Sequence, residues 1–337
     1  MIGRYFEQFI IEKNGESNLT QLYIKEGLNF IEKSAEAKQP FFLYWTPDAT
    51  HEPVYASKPF LGRSQRGLYG DAVIELDEGV GQILGKLKEL QIDTNTFVVF
   101  TSDNGAATYA KENGGTNGPY LCGKRTTYEG GMRVPTIAWW PTHIKPGRVT
   151  HQIGNIMDLF TTALNLAHIR PPSDRFIDGQ SLLPALLNGE EDVNRTMFYY
   201  RGNQMMAVRL GEYKAHYWTW TDPLSQVLLG SDVCPGQDVT GVMTHDQVNH
   251  TLSPLLFHLG RDPGEKYPIK NTTAEYKAVM PKIGQVVADH KTYLIPGTPQ
   301  LNMCDDAIKN WSPPGCEKLN MCQEAPPSYP YKCIWPF

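Results

Sequence analysis

Polar and apolar positions along the chain fall into a few clear periods. Over residues 18–35, Leu22, Ile24, Leu28, Phe30 and Ile31 are spread through a polar background, with Leu19 near the start, and this predicts a helix. Gln39-Pro40 ends it. Phe41-Phe42-Leu43-Tyr44-Trp45 is a short, unbroken apolar run, which predicts a strand buried in a parallel sheet. Further on, Tyr69, Val73, Leu76, Val80, Ile83, Leu84, Leu87 and Leu90 recur at steps of three and four and draw one apolar stripe, so a second helix is expected. Asp71, Glu75, Asp77 and Glu78 gather in its N-terminal half, where the helix dipole favours carboxylates. Thr96-Phe97-Val98-Val99-Phe100 predicts another buried strand. Strand, helix and strand in this order make a βαβ unit with a right-handed crossover. Ile137-Ala138-Trp139-Trp140 adds a strand and residues 156–167 a helix.

The pattern changes near residue 195. Residues 197–201, 206–210 and 213–220 read as short strands with a turn at Gly211, and 255–259 as one more. Residues 276–290 are helical, with Val279, Met280, Ile283, Val286 and Val287 on the apolar side. From Pro296 onward the chain is rich in proline and cysteine. The expected fold class is therefore α/β, a partial mixed sheet flanked by helices, followed by a smaller α+β domain and a disulfide-stapled tail. The expected boundaries are residues 1–195, 196–296 and 297–337.

Composition narrows the functional classes. Thirty-one basic side chains against 36 acidic ones give a net charge of -5, which leaves no basic footprint for nucleic acid. No apolar run is long enough to span a bilayer. Residues 1–12 are charged and amphipathic and lack the apolar core of a signal peptide. The cysteines and sequons nonetheless look secretory. Six cysteines stand at irregular spacing, without the paired C-x-x-C of a zinc site, and fit disulfides better than reduced thiols. Proximity favours pairing within the tail, Cys304 with Cys333 around Cys316 with Cys322, which leaves Cys122 for Cys234. Asn18, Asn194, Asn249 and Asn271 head N-x-T sequons, and Asn310 heads a poorer N-W-S with Pro313 just beyond.

Both buried strands lead into polar clusters, Asp48-Ala49-Thr50-His51 and Thr101-Ser102-Asp103-Asn104-Gly105. Ligands of open α/β sheets bind beyond the carboxyl ends of the strands, so His51 is expected near Asp103 and Asn104. A carboxylate beside an amide oxygen offers two hard-oxygen ligands to calcium, which needs several more; D-N-G is equally a turn sequence. His51 suits a general acid or a backbone-bonded histidine. Lys124, in Leu121-Cys122-Gly123-Lys124-Arg125, suits an anion anchor or half of a solvated basic pair. Glu129-Gly130-Gly131 follows, with two glycines giving backbone freedom. A cation site, a lysine and a histidine together suggest an enzyme for sulfate or phosphate esters.

Four segments carry a resemblance: P-F-F-L-Y-W-x-x-D-A-T-H, T-S-D-N-G, C-G-K-R-T-T-Y-E-G-G-M-R-V-P and L-F-H-L-G-R-D-P-G-E. They resemble the sulfatase family, and the likeness continues through P-V-Y-A-S-K-P-F, H-Y-W-T-W and P-P-G-C-E-K-L. The resemblance implies an alkaline-phosphatase/sulfatase-like fold and sulfuric ester hydrolysis. Asp103 and Asn104 would be Ca2+ ligands, Lys124 would hold the sulfate, and His51 would contact it and protonate the leaving sugar oxygen. It further implies a formylglycine nucleophile, 6-sulfated galactose or N-acetylgalactosamine of keratan and chondroitin sulfates as substrate, a lysosomal setting and a homodimer.

One departure stands out. The formylglycine segment C/S-x-P-x-R occurs nowhere in the 337 residues. The family's paired aspartates and its Lys-x-His segment, which lie upstream of the Asn18 region, have no counterpart either. The expectation is an N-terminally truncated sulfatase with half a site, no turnover of its own, and uncovered apolar surface that favours aggregation. Two other readings are a non-catalytic chain that binds sulfated glycans or pairs with complete subunits, and a phosphoryl-transfer enzyme of the alkaline-phosphatase superfamily.

Overall fold

The computed structural model describes residues 4, 5, 8, 9, 11, 12, 14–220, 224–237, 239–295 and 327. The tail cysteines Cys304, Cys316, Cys322 and Cys333 lie outside them. Two compact units are present. The first comprises Met1–Arg195, Trp220–Asp246 and Pro263–Lys266; the second comprises Thr196–Thr219, Gln247–Asp262 and Tyr267–Phe337.

The first unit begins with the two-residue strands β1 (Arg4–Tyr5) and β2 (Gln8–Phe9) and the helices α1 (Leu19–Glu36) and α2 (Gly67–Glu89). Both helices stand where the apolar stripes place them. Ile24 and Ile31 of α1 and Ala72 and Leu87 of α2 are buried. Asp71 and Glu75 do more than answer the helix dipole. Both are buried, Asp71 accepting from the backbone N–H groups of Gly62 and Ser64 and Glu75 from those of Ser57 and the Gln21 amide. They tie the chain leading into α2 onto the helix. Beyond α2 come β3 (Val98–Thr101), the short α3 (Glu129–Met132), β4 (Thr136–Trp139) and α4 (Met157–Leu166).

Two expectations fail here. Residues 41–45 form no strand; Phe42 and Tyr44 are each 72% exposed, and Phe41 packs edge-on against Phe30 of α1. β3 pairs antiparallel with β4, Val98 opposite Trp139, so the described residues contain no βαβ crossover. The reason is partnership. An apolar run becomes a buried parallel strand only when neighbours saturate its backbone, and no described segment lies hydrogen-bonded beside residues 41–45.

The second unit is built on β5 (Thr196–Arg201), β6 (Gln204–Leu210), β7 (Tyr213–His216) and, after β8 (Trp218–Thr219), the strands β9 (Val248–Asn249) and β10 (Leu255–His258). The first unit holds α5 (Leu224–Leu228), and α6 (Ala274–Tyr293) closes the second. The main sheet runs β10-β7-β6-β5, antiparallel throughout, and β8 pairs with β9. Val208, Ala215 and Leu256 of the sheet and Ile283 of α6 are wholly buried together. Thr273 caps α6 by accepting from the Tyr276 N–H. No described helix is long and apolar enough to cross a membrane.

Candidate active site

All four candidate residues belong to the first unit, and tight loops rather than parallel strand ends carry them. His51 sits in a turn whose base is pinned: its N–H donates to the Asp48 carbonyl, and the Tyr55 hydroxyl donates to Asp48 Oδ1 at 2.6 Å. Burial and the Asp48 carboxylate push the Tyr55 hydroxyl well above the ordinary tyrosine range, so it stays a donor. Ala49, Val54 and Tyr55 pack with Ile11 and Ala72, which anchors the turn in the core.

The second loop carries Lys124. Cys122 is bonded to Cys234, as the cysteine spacing suggested, and both are buried. The Cys122 N–H donates to Gln237 Oε1, and the Asn117 amide bridges two loops, accepting from Ala106 N–H and donating to the Cys122 carbonyl. The Lys124 N–H donates to the Ala106 carbonyl at 2.9 Å, two residues beyond Asn104. Gly105 and Gly130 are required for close approach. A Cβ on Gly105 would meet the Gly130 carbonyl oxygen at 1.8 Å, and one on Gly130 would meet the carbonyl oxygens of Leu121 and Cys122 at 2.3 and 2.2 Å. The Glu-Gly-Gly segment thus supplies room between backbones, since neither Gly130 nor Gly131 needs a positive φ. The buried Glu265 carboxylate accepts from the Glu129 N–H and holds this segment from a distant part of the chain.

His51 and Lys124 meet. Lys124 Nζ lies 3.1 Å from His51 Nε2, while His51 Nδ1 lies 2.8 Å from the Glu52 carbonyl oxygen. A carbonyl only accepts, so Nδ1 carries a proton and Nε2 is the atom presented to the lysine. The backbone-bonded reading of His51 therefore holds for one ring nitrogen, and the other accepts from Lys124 Nζ. Arg125 is not merely solvated: its guanidinium lies 4.2 Å from the centroid of the Tyr109 ring.

Asp103 and Asn104 occupy a bend after β3, with the Ser102 hydroxyl donating to the Asn104 carbonyl. Asp103 is exposed and Asn104 half-buried. Their side-chain oxygens suit a hard cation in kind, but the described residues hold no group of three His, Cys, Asp or Glu that would complete a site. Sequence reading missed Asn117, Gln237 and Glu265 as positioning residues. Glu265 at least lies in the L-F-H-L-G-R-D-P-G-E segment, whereas nothing around Gln237 marks it.

Three family models match the chain: "Sulfatase" over residues 3–169, "C-terminal region of aryl-sulfatase" over 192–324, and "N-sulphoglucosamine sulphohydrolase, C-terminal" over 119–222. N-acetylgalactosamine-6-sulfatase from Canis lupus familiaris is 60% identical over 338 residues, covering all of this chain. The chain belongs to the sulfatase family. The Homo sapiens N-acetylgalactosamine-6-sulfatase is 58% identical over 99% of the chain, and an arylsulfatase from Hemicentrotus pulcherrimus is 36% identical over 86%. This sulfatase chain spans 65% of the length of the canine relative and 64% of the human one. A solved sulfatase from Pseudoalteromonas sp. superposes with a TM-score of 0.72 at 25% identity, covering 83% of this chain and 54% of its own. The alkaline-phosphatase-like sulfatase fold, with its C-terminal sulfatase domain, is thereby established.

Proposed function

We propose that this chain forms the sulfate-binding part of a hydrolase that removes the 6-sulfate from galactose or N-acetylgalactosamine units of keratan and chondroitin sulfate. The observation that carries the reading is the contact of Lys124 Nζ with His51 Nε2 at 3.1 Å. In that contact Nε2 accepts from the lysine, and once Nε2 is protonated both groups can donate to one oxyanion placed between them. Identity of 58–60% to N-acetylgalactosamine-6-sulfatases supports the choice of ester.

In this reading Lys124 Nζ holds a sulfate oxygen and offsets its charge. Protonated His51 Nε2 faces the same point and passes its proton to the departing sugar oxygen; the Glu52 carbonyl fixes the ring for that transfer. Asp103 and Asn104 would supply two of the oxygens for Ca2+, whose contribution there would be to polarise the ester. The formylglycine of the family would supply a covalent nucleophile. No C/S-x-P-x-R lies within these 337 residues, so alone they bind the ester and do not turn it over. The protein is assigned to the secretory and lysosomal route as a homodimer. Its exposed Asn18, Asn194, Asn249 and Asn271 would carry glycans, and its tail would be stapled by Cys304–Cys333 and Cys316–Cys322.

Titrating the chain with 6-sulfated N-acetylgalactosamine tests the site. Lys124→Ala is expected to weaken binding roughly 10-fold or more, as for a lost charged hydrogen bond. Equal affinity of wild type and variant would sink the reading. Sulfate release from a 6-sulfated galactoside is expected to be absent, and turnover that depends on His51 and Lys124 would overturn that part.

A further inference from the structure

A cavity of about 360 Å³ opens on the wall of the loop that leads to Lys124. Arg66, Lys111, Thr116, Asn117, Tyr120 and Cys122 are among its lining residues, and no aspartate or glutamate is. Among the described residues, neither Arg66 nor Lys111 is paired with a carboxylate. Arg66 donates one N–H to the Gly114 carbonyl at 3.3 Å, which steadies the guanidinium at the rim and leaves its other N–H groups available. Arg66 is also the residue before α2, a helix of 23 residues, and its side chain does not cap that helix. The lining therefore carries two cations and no acidic side chain. Cys122 precedes Lys124 by two residues, which puts the cavity wall within ~7.6 Å of the lysine along the backbone.

We infer that this cavity is a second anion subsite, which takes the carboxylate or sulfate of a saccharide unit next to the one held at Lys124. The inference rests on the sulfated-glycan reading above and extends it from one ester to a stretch of polymer. Arg66 presents a fork that matches two oxygens of an oxyanion, and Lys111 adds a point charge. Unlike His51 and Lys124, these groups would contribute to binding the chain and not to chemistry on the ester. A monosaccharide would leave them unused.

The test is calorimetric titration of the 337-residue chain with 6-sulfated N-acetylgalactosamine, a chondroitin 6-sulfate tetrasaccharide, a keratan sulfate tetrasaccharide and inorganic sulfate. Wild type is expected to bind at least one tetrasaccharide about 10-fold more tightly than the monosaccharide. A gain for the chondroitin ligand assigns the cavity to a carboxylate, and a gain for the keratan ligand alone to a sulfate. The Arg66→Ala/Lys111→Ala double variant should lose the gain and keep monosaccharide affinity. Thr116→Glu, which adds a carboxylate to the lining and leaves Arg66 in place, should do the same. Retention of the gain in both variants overturns the subsite, as does inorganic sulfate binding there with no gain for either tetrasaccharide. Monosaccharide binding is read separately, so its loss in wild type would indict the functional reading and not the cavity.

Discussion

The sheet of the second unit and the β3–β4 ribbon of the first have similarly apolar strands and very different fates. In the second unit, β6 lies between β5 and β7, and Val208, Ala215 and Leu256 reach zero exposure beneath α6. In the first, β3 and β4 have only each other among the described residues, with Phe100 39% and Ile137 63% exposed. Residues 41–45 go further, keeping the alternation of a strand without the ladder. Apolar β-prone sequence thus supplies a tendency, and burial comes only with a neighbour on each edge and a cover on the face. The first unit is instead tied together by buried polar groups, notably Asp71, Glu75, Asp158 and Arg195.

The largest effect should come from breaking one of those polar ties. Arg195 pairs with Asp158 through two hydrogen bonds of 2.6 and 2.8 Å, and Asp158 also accepts from the N–H groups of Asn155 and Gln180. Arg195→Ala leaves that carboxylate buried and uncompensated, at a cost of about 3–5 kcal/mol in urea unfolding of the first unit. A loss under ~1 kcal/mol would show that the pair is not a principal tie.

Next in size is the contrast between the strands. Leu256→Ala should cost about 2–5 kcal/mol, whereas Ile137→Ala should stay within about 0.5 kcal/mol. Similar losses at both positions would mean that Ile137 is covered in solution. The smallest effect concerns acid. Burial and the neighbouring His216 hold the His250 imidazole below its ordinary range. The unfolded chain therefore takes up that proton first, and the associated stability is present above about pH 6.5 and declines as the pH falls below it. Replacing His250 by Gln should flatten the decline in melting temperature between neutral pH and pH ~5; an unchanged slope would remove His250 as its cause.

Much of this was legible in local pattern. The helices α1, α2, α4 and α6 and the strands β5 to β7 stand where the apolar periods put them, although only part of each helix stripe is buried: Leu87 of α2 is 1% exposed and Val73 39%. The candidate site residues stand in polar clusters beyond apolar runs, a pattern that the sequence displays directly. The meeting of two of them was not legible. His51 reaches Lys124 across 73 positions, and the positioning residue Gln237 lies 115 positions from the Cys122 it supports. Nothing in the spacing of either loop encodes such distances. Glu129-Gly130-Gly131 illustrates the same limit: sequence shows two glycines, and only the fold shows that backbone carbonyls press on Gly130.

By itself, then, the sequence determined the family, the elements and the kinds of chemistry available, since these follow from side-chain type and short-range period. Tertiary structure alone decided which apolar runs found a partner, which acids became buried tethers, and that His51 Nε2 faces Lys124. Those outcomes depend on contacts between segments far apart in the chain, where backbone saturation and close packing, not local preference, select the arrangement.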